Sequence, residues 1–446
     1  MSYSPNLTYF LDRLSGFSTN VFKMEAQGNN TANANSIIRF NLPSNALLNM
    51  RSFALHFTAT TAGTAAGGRL PNKIESLIER VEVSVGGVQL SAGSNYYNVL
   101  CHAKQALMGS KCDAALGHPE IVRQVSYIDG SEIAAATAVT AGTAAITDNE
   151  VYTGSVSQFC IDKWEGFLGS CEPKILDSSL LPDIVVSIYL TNNNVLCSTS
   201  AVAKADFTTD GNLNATFSLS NIHATIESLG LADSTYDTMI SQMISQRGYI
   251  EVPFKQYIAF QDVTQTNMRF SVATACLDRI WIAHRAAAYS TQAAPVKLTG
   301  YSTTGQNILE FAKEKYTSAY FNFTEPSGNP KYQFQLNGAL YPQFQASFEE
   351  MHQISRNSVM SQTCHARDNL PLNTIKNNYA VQCIRLNMPE SEFSRTLSGL
   401  DTRGISLNGF YNLYNASSTN TPTITLFAEC TSVMRVGSGK QVEIVV

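Results

Sequence analysis

Several short stretches of this chain carry residue types capable of chemistry. Gly437-Ser-Gly-Lys440 has the glycines and lysine of a phosphate loop, where backbone N–H groups cradle the phosphates. That loop also needs a glycine three residues before Gly437 and a Ser or Thr after the lysine. Met434 and Gln441 stand there, so a hairpin turn is expected instead. Around Ser302, Thr304 occupies the place where a nucleophile elbow needs its second glycine. Cys101-His102 and Cys364-His365 set a nucleophile beside a base. Neighbours on a helix or strand point apart, so neither pair makes a triad by itself. Asp162, Glu165 and Glu172 surround Trp164-Glu-Gly-Phe167, an aromatic cluster resembling a sugar platform. Two carboxylates flanking a glycosidic bond could hydrolyse it. Glu349-Glu350 open a predicted helix, where carboxylates favour the helix dipole without acid–base work. The 7 histidines are scattered and are expected to be structural. The expectation is a chain with no catalytic, cofactor-binding or metal-binding set.

The elements behind these residues repeat. Val83 to Leu100 (VSVGGVQLSAGSNYYNVL) aligns without a gap on Phe334 to Met351 (FQLNGALYPQFQASFEEM). Val83 matches Phe334, Gly87 matches Gly338, Tyr97 matches Phe348 and Leu100 matches Met351. Each copy reads as a hairpin around a glycine turn followed by a helix. Elsewhere period-2 alternation dominates: SIIRFNLP, MRSFALHFTATT, YAVQCIRLNM and TPTITLFAECTSVMRVGSGKQVEIVV. ATFSLSNIHATIESLGL reads as a strand pair or as one long bent strand. STYDTMISQMISQRG is a helix whose Tyr236, Met239, Ile240, Met243 and Ile244 form one apolar stripe, with Gly248 ending it.

At 446 residues the chain is too long for one ordinary core, so two domains of about 200 residues each are expected. Charged residues make up 15%, against roughly 25% in a typical soluble domain. A surface that mostly meets protein is depleted in charge, although a neutral secreted β-protein fits equally. The net charge is −5 and no Lys/Arg run occurs, which argues against strong direct nucleic-acid binding. No apolar signal core or membrane-length run is visible. Nine cysteines without a CxxC pair suit reduced, buried thiols.

Many short strands and few helices, twice over, predict an all-β chain: two tandem jelly-roll β-sandwiches with a few short helices in connections. Immunoglobulin sheets run near 100 residues and lack such a helix. The expected divisions are an N-terminal arm over 1–35, a first jelly roll over 36–232, a connecting helix over 233–248 and a second jelly roll over 249–446. Phe17, Val21 and Phe22 are expected to dock the arm on a neighbour, and residues 136–150 to form a surface excursion.

LPNKIESLIERVEVSVGGVQL followed by NYYNVL, then WEGFLGSCEPKILDSSLLPDIVVSIYL, the STYDTMISQMISQRG helix before YIEVPFKQY, and SGLDTRGISLNG before ITLFAECTSVMRVGSGKQVEIVV appear in that order. Through these segments most of the chain resembles the double jelly-roll major capsid proteins of polinton-like viruses and virophages. Gly86 departs from the asparagine more usual in that family. The resemblance implies a non-enzymatic structural protein without cofactors, forming homotrimeric, pseudo-hexagonal capsomers. These would tile an icosahedral shell around a double-stranded DNA genome, meeting neighbouring capsomers, a penton protein at the vertices and minor or cement proteins. It places the chain in the virion, after synthesis and assembly inside the host cell, and leaves contact with an internal membrane open. The rival readings are a glycan-binding β-sandwich adhesin and a β-sandwich hydrolase relying on Asp162 or Glu165.

Overall fold

The computed structural model describes residues 17–62, 68–69, 74–90, 96–108, 156–198, 216–231, 242, 244–263, 266–285, 321, 323–359, 375–376, 379–388, 398–403, 407–417 and 423–445. In the first half, β1 (Phe17–Glu25), β12 (Thr216–Leu231), β4 (Leu47–Ala62) and β8 (Val156–Ile161) lie side by side in that order. Packed on them is a second sheet of β3 (Ile37–Asn41), β10 (Ile184–Leu190), β6 (Ile78–Val85) and β7 (Val88–Gln89). The second half pairs β13 (Tyr249–Val263), β20 (Thr423–Gly437), β15 (Leu277–Arg285) and β18 (Val381–Arg385). Its partner sheet is β14 (Asn267–Val272), β19 (Leu407–Tyr414), β16 (Lys331–Leu336) and β17 (Ala339–Ala346). Short pieces complete the set: β2 (Ala32–Asn33) on β12, β9 (Ile175–Asp177) on β4, β5 (Gly68–Arg69) with β11 (Cys197–Ser198), and β21 (Val442–Val445) on β20.

Leaving those short pieces aside, each half has the same plan. Its strands, counted in chain order, line up first–eighth–third–sixth in one sheet and second–seventh–fourth–fifth in the other. That interleaving of two Greek keys is a jelly roll, and the chain holds two of them.

The gapless alignment of the sequence is kept in space. The β6–β7 turn has Gly86 at φ 57° and Gly87 at φ 83°, and the β16–β17 turn has Asn337 at φ 49° and Gly338 at φ 88°. Both centres need positive φ, the pattern of a type I′ hairpin. The helices that follow, α1 (Tyr97–Met108) and α3 (Phe348–Val359), begin and end at aligned residues. Tyr97, Leu100, Phe348 and Met351 are all buried. A third, single-turn helix, α2 (Phe167–Ser170), lies between them in the chain.

One expectation is corrected. The arm anticipated over residues 1–35 is, from Phe17 to Glu25, the first strand of the first jelly roll, paired along its whole length with β12. Its sequence hides this because Met24 is the strand's one buried side chain among those described; the other described side chains face water, so no apolar alternation marks it. Residues 216–231 form one long strand, bent where its register slips between Ser220 and His223, with Asn221 at φ 53°. Of the connecting helix, Gln242 and Ile244–Arg247 are helical, and Gly248 at φ 82° ends it, its N–H donating to the Ile244 carbonyl. Tyr236, Met239, Ile240 and Met243 of the predicted stripe, and residues 136–150, lie outside the described residues.

Candidate functional site

The stretches that suggested chemistry are occupied in packing. Ser438–Lys440 is the turn between β20 and β21, closed by Gly437 N–H donating to the Gln441 carbonyl. Trp164 is only 7% exposed and its Nε1 donates to the Phe53 carbonyl at 2.8 Å, while Phe167 stacks edge-on against Phe254. Both rings are buried, so the cluster that resembles a sugar platform is part of the core. Glu165 is held by Lys104 at 2.5 Å and by the Tyr257 hydroxyl at 3.1 Å. The Glu172 N–H donates to the Pro253 carbonyl at 3.0 Å. His102 shares a hydrogen bond with Ser76 Oγ and stacks on Phe321 at 3.9 Å, and burial pushes the adjacent Cys101 thiol well above its usual range. Burial likewise raises Cys171 to about 12 and Cys276 to about 11. Such thiols stay protonated and unreactive. Ser302 and Cys364-His365 lie outside the described residues. Among the described residues no cluster of His, Cys, Asp and Glu could hold a metal, and no helix is long and apolar enough to cross a membrane.

What the structure assembles instead is a seam between the sandwiches. Along β15 and β20, Ile280, Ile282, Ile424, Leu426, Ala428 and Cys430 enter the second sandwich's own core. The alternating residues Trp281, Ala283 and Phe427 join the core that holds α1, Phe167 and the first sandwich. Strands buried on both faces read as near-continuous apolar runs, which is why TITLFAEC and RIWIA carry so little polarity.

Charges are set into this seam. Glu429 on β20 accepts from Arg279 Nη1 at 3.1 Å and from Trp281 Nε1 at 2.8 Å. Lys104 of α1 joins Glu165 and also the Tyr257 hydroxyl at 3.1 Å. Lys255 reaches Asp278 and Thr431 Oγ1, each at 3.0 Å. Burial opposes the Lys104 charge, but Glu165 and Glu429 hold its pKa above the ordinary lysine value. Burial also opposes the Glu429 carboxylate, and Arg279, Lys104 and Lys255 outweigh it, keeping its pKa low. Each of these ion pairs joins residues of a single sandwich, and it is the Tyr257 hydroxyl that crosses the seam, meeting both Lys104 and Glu165 at 3.1 Å.

A second cluster lies on the outer face of the β1–β12–β4–β8 sheet. Glu25, His223, His56 and Cys160 stand opposite one another across the four strands. The His56 and His223 rings stack 5.0 Å apart and within 9° of parallel. Burial first, then the neighbouring His223, lower the His56 pKa, against a raising effect from Asp162. Sequence reasoning singled out neither this row nor Lys104, Arg279 and Glu429, because the partners come from distant segments and share no local spacing.

No protein-family model matches the chain, and no curated protein matches it in sequence. Solved structures do match its fold. PBCV-1 VP54, as fitted into a cryo-EM reconstruction of the virophage Sputnik, covers 98% of both chains at 13% identity and a TM-score of 0.59. A chain of the PBCV-1 virus capsid quasi-atomic model covers 98% of both at 14% identity and a TM-score of 0.56. The Faustovirus major capsid protein is similar over 96% of this chain and 92% of its own, at 10% identity and a TM-score of 0.50. The likeness runs end to end, so the whole double jelly-roll plan is shared.

Proposed function

We propose that this chain is a structural viral major capsid protein. The observation that carries the reading is the twice-repeated strand order, matched over 98% of the chain by PBCV-1 VP54. Three copies would form a capsomer of six sandwiches with a pseudo-hexagonal outline, able to tile the facets of an icosahedral shell around a double-stranded DNA genome. Neighbouring capsomers, a vertex protein and minor or cement proteins would complete the shell, and the chain would reside in the virion. The first sandwich would end by residue 232, and the second would begin at residue 249.

Two features favour a geometric job over a chemical one. Trp164, Phe167, Glu165, Cys101 and His102 are taken up in packing, hydrogen bonds and an ion pair, and a charge-poor surface suits protein contacts. Each subunit interface in such a trimer should bury on the order of 2,000–5,000 Å². Size-exclusion chromatography with light scattering, followed by negative-stain microscopy, tests the reading. The expected result is a trimer with a hexagonal outline; a monodisperse monomer across micromolar concentrations would overturn it.

A further inference from the structure

We infer that the outer face of the β1–β12–β4–β8 sheet seats the second sandwich of another copy of this chain, and that the stacked His56–His223 pair makes this contact come apart in acid. The inference rests on the trimer reading above and names both the surface and its control.

The chain itself supplies the template. Within one copy, α1 of the first sandwich packs against β15 and β18 of the second, and α2 packs against β13. All three strands belong to the first–eighth–third–sixth sheet of the second sandwich. The same sheet of the first sandwich would be reached, in the same relationship, only by α3 of a further copy, since α3 aligns with α1. Repeating one heterologous contact in this way gives a ring when its rotation closes, as the three-copy reading requires. The face is available for it: Val21 is 62% exposed, Lys23 and Glu25 are exposed, and His56, His223 and Thr225 are half-buried.

The two faces differ in one telling row. On the covered face, Phe427, Trp281 and Cys383 stand opposite one another. On the corresponding strands of the open face, His223, His56 and Cys160 do so. The covered row therefore holds no imidazole, whereas the open row carries two.

The charged groups around the pair do not remove that dependence. Glu25 flanks His223 but is paired with Lys23 at 2.8 Å. Glu227, further along β12, accepts from Asn49 Nδ2 at 2.7 Å, and Asp162 beyond β8 favours the charged form of His56. On α3 the exposed charges are Glu349, Glu350 and Arg356; Glu349 is taken by Lys376 at 2.8 Å, and Glu350 caps its own helix. With His56 neutral the stacked rings can be covered, and a protonated His56 must shed its proton to be buried. Each proton shed weakens the contact about tenfold per pH unit below the histidine pKa.

The test is sedimentation equilibrium of the full chain between pH 8 and pH 5, with near-UV circular dichroism reporting the fold. Wild type should be trimeric at pH 8, and its dissociation constant should be at least tenfold higher at pH 5. The double variant His56→Gln/His223→Gln should stay trimeric at pH 5. Val21→Lys, a change on an exposed side chain of the same face, should raise the dissociation constant at pH 8 at least tenfold without altering the fold. Equal pH slopes in wild type and double variant, or an unchanged Val21→Lys trimer, would overturn the inference while leaving the trimer intact. A wild-type chain monomeric at every pH would overturn the trimer reading itself, and this inference with it.

Discussion

Gly86 and Asn337 hold the same position in the two hairpin turns, both at positive φ, and Gly86 lies beneath Pro182. A Cβ at Gly86 would come within 2.5 Å of Pro182 Cγ. The residue that departs from its counterpart does so for lack of room. Gly86→Asn should therefore destabilise the chain by about 1–3 kcal/mol through overpacking. Asn337→Gly should stay within about 0.5 kcal/mol. Urea unfolding of the two variants side by side checks the asymmetry, and equal losses would show that Pro182 yields freely.

Glu429 is the acceptor on which Arg279 and Trp281 converge, and it is 2% exposed. Glu429→Ala leaves the Arg279 charge in the seam without its partner carboxylate. The expected loss is about 3–5 kcal/mol, read as a lower urea midpoint. A variant as stable as wild type would mean that water enters the seam and the charges are not confined there.

Much of this plan is legible in the residues, and the gaps have physical causes. The hairpins announced themselves because positive-φ turns demand glycine or asparagine and their flanks alternate. On β20 the inward set Ile424, Leu426, Ala428 and Cys430 was readable as an alternation. The reverse face was not, because Phe427 is apolar too and Glu429 looks like an ordinary surface residue until Arg279 and Trp281 are beside it. β1 escaped notice because its pairing partner lies some two hundred residues away and it lends the core a single methionine among its described side chains. The Trp164–Phe167 cluster was ambiguous for a related reason: its rings are as aromatic in a core as on a surface, and only burial separates the two.

Ser347 and Glu350 form a reciprocal cap at the start of α3. The Ser347 N–H donates to Glu350 Oε2 at 2.8 Å, and the Glu350 N–H reaches Ser347 Oγ at 3.4 Å. This capping box satisfies two helix-end donors. Ser347→Ala should cost about 1 kcal/mol, and Ser347→Asp should recover most of it. Thermal or urea unfolding distinguishes them; an unchanged Ser347→Ala midpoint would mean the longer of the two bonds contributes nothing.

His284 sits fully buried between Tyr332 and Tyr411, with the Tyr411 hydroxyl 2.9 Å from its Nε2 and 2.9 Å from Gln382 Oε1. Burial lowers its pKa from 6.5 to about 4. The unfolded chain then binds a proton that the folded chain refuses. Stability is full above about pH 6.5, falls by up to about 1.4 kcal/mol per pH unit as the pH drops toward 4, and levels off below, for a total near 3 kcal/mol. Urea midpoints from pH 7.5 to 4.5, measured in the His56→Gln/His223→Gln background so that the surface pair is silent, should show this slope. Adding His284→Gln should flatten it even if that change lowers the stability at every pH. A slope of the same size with His284 replaced would assign the acid sensitivity to other groups.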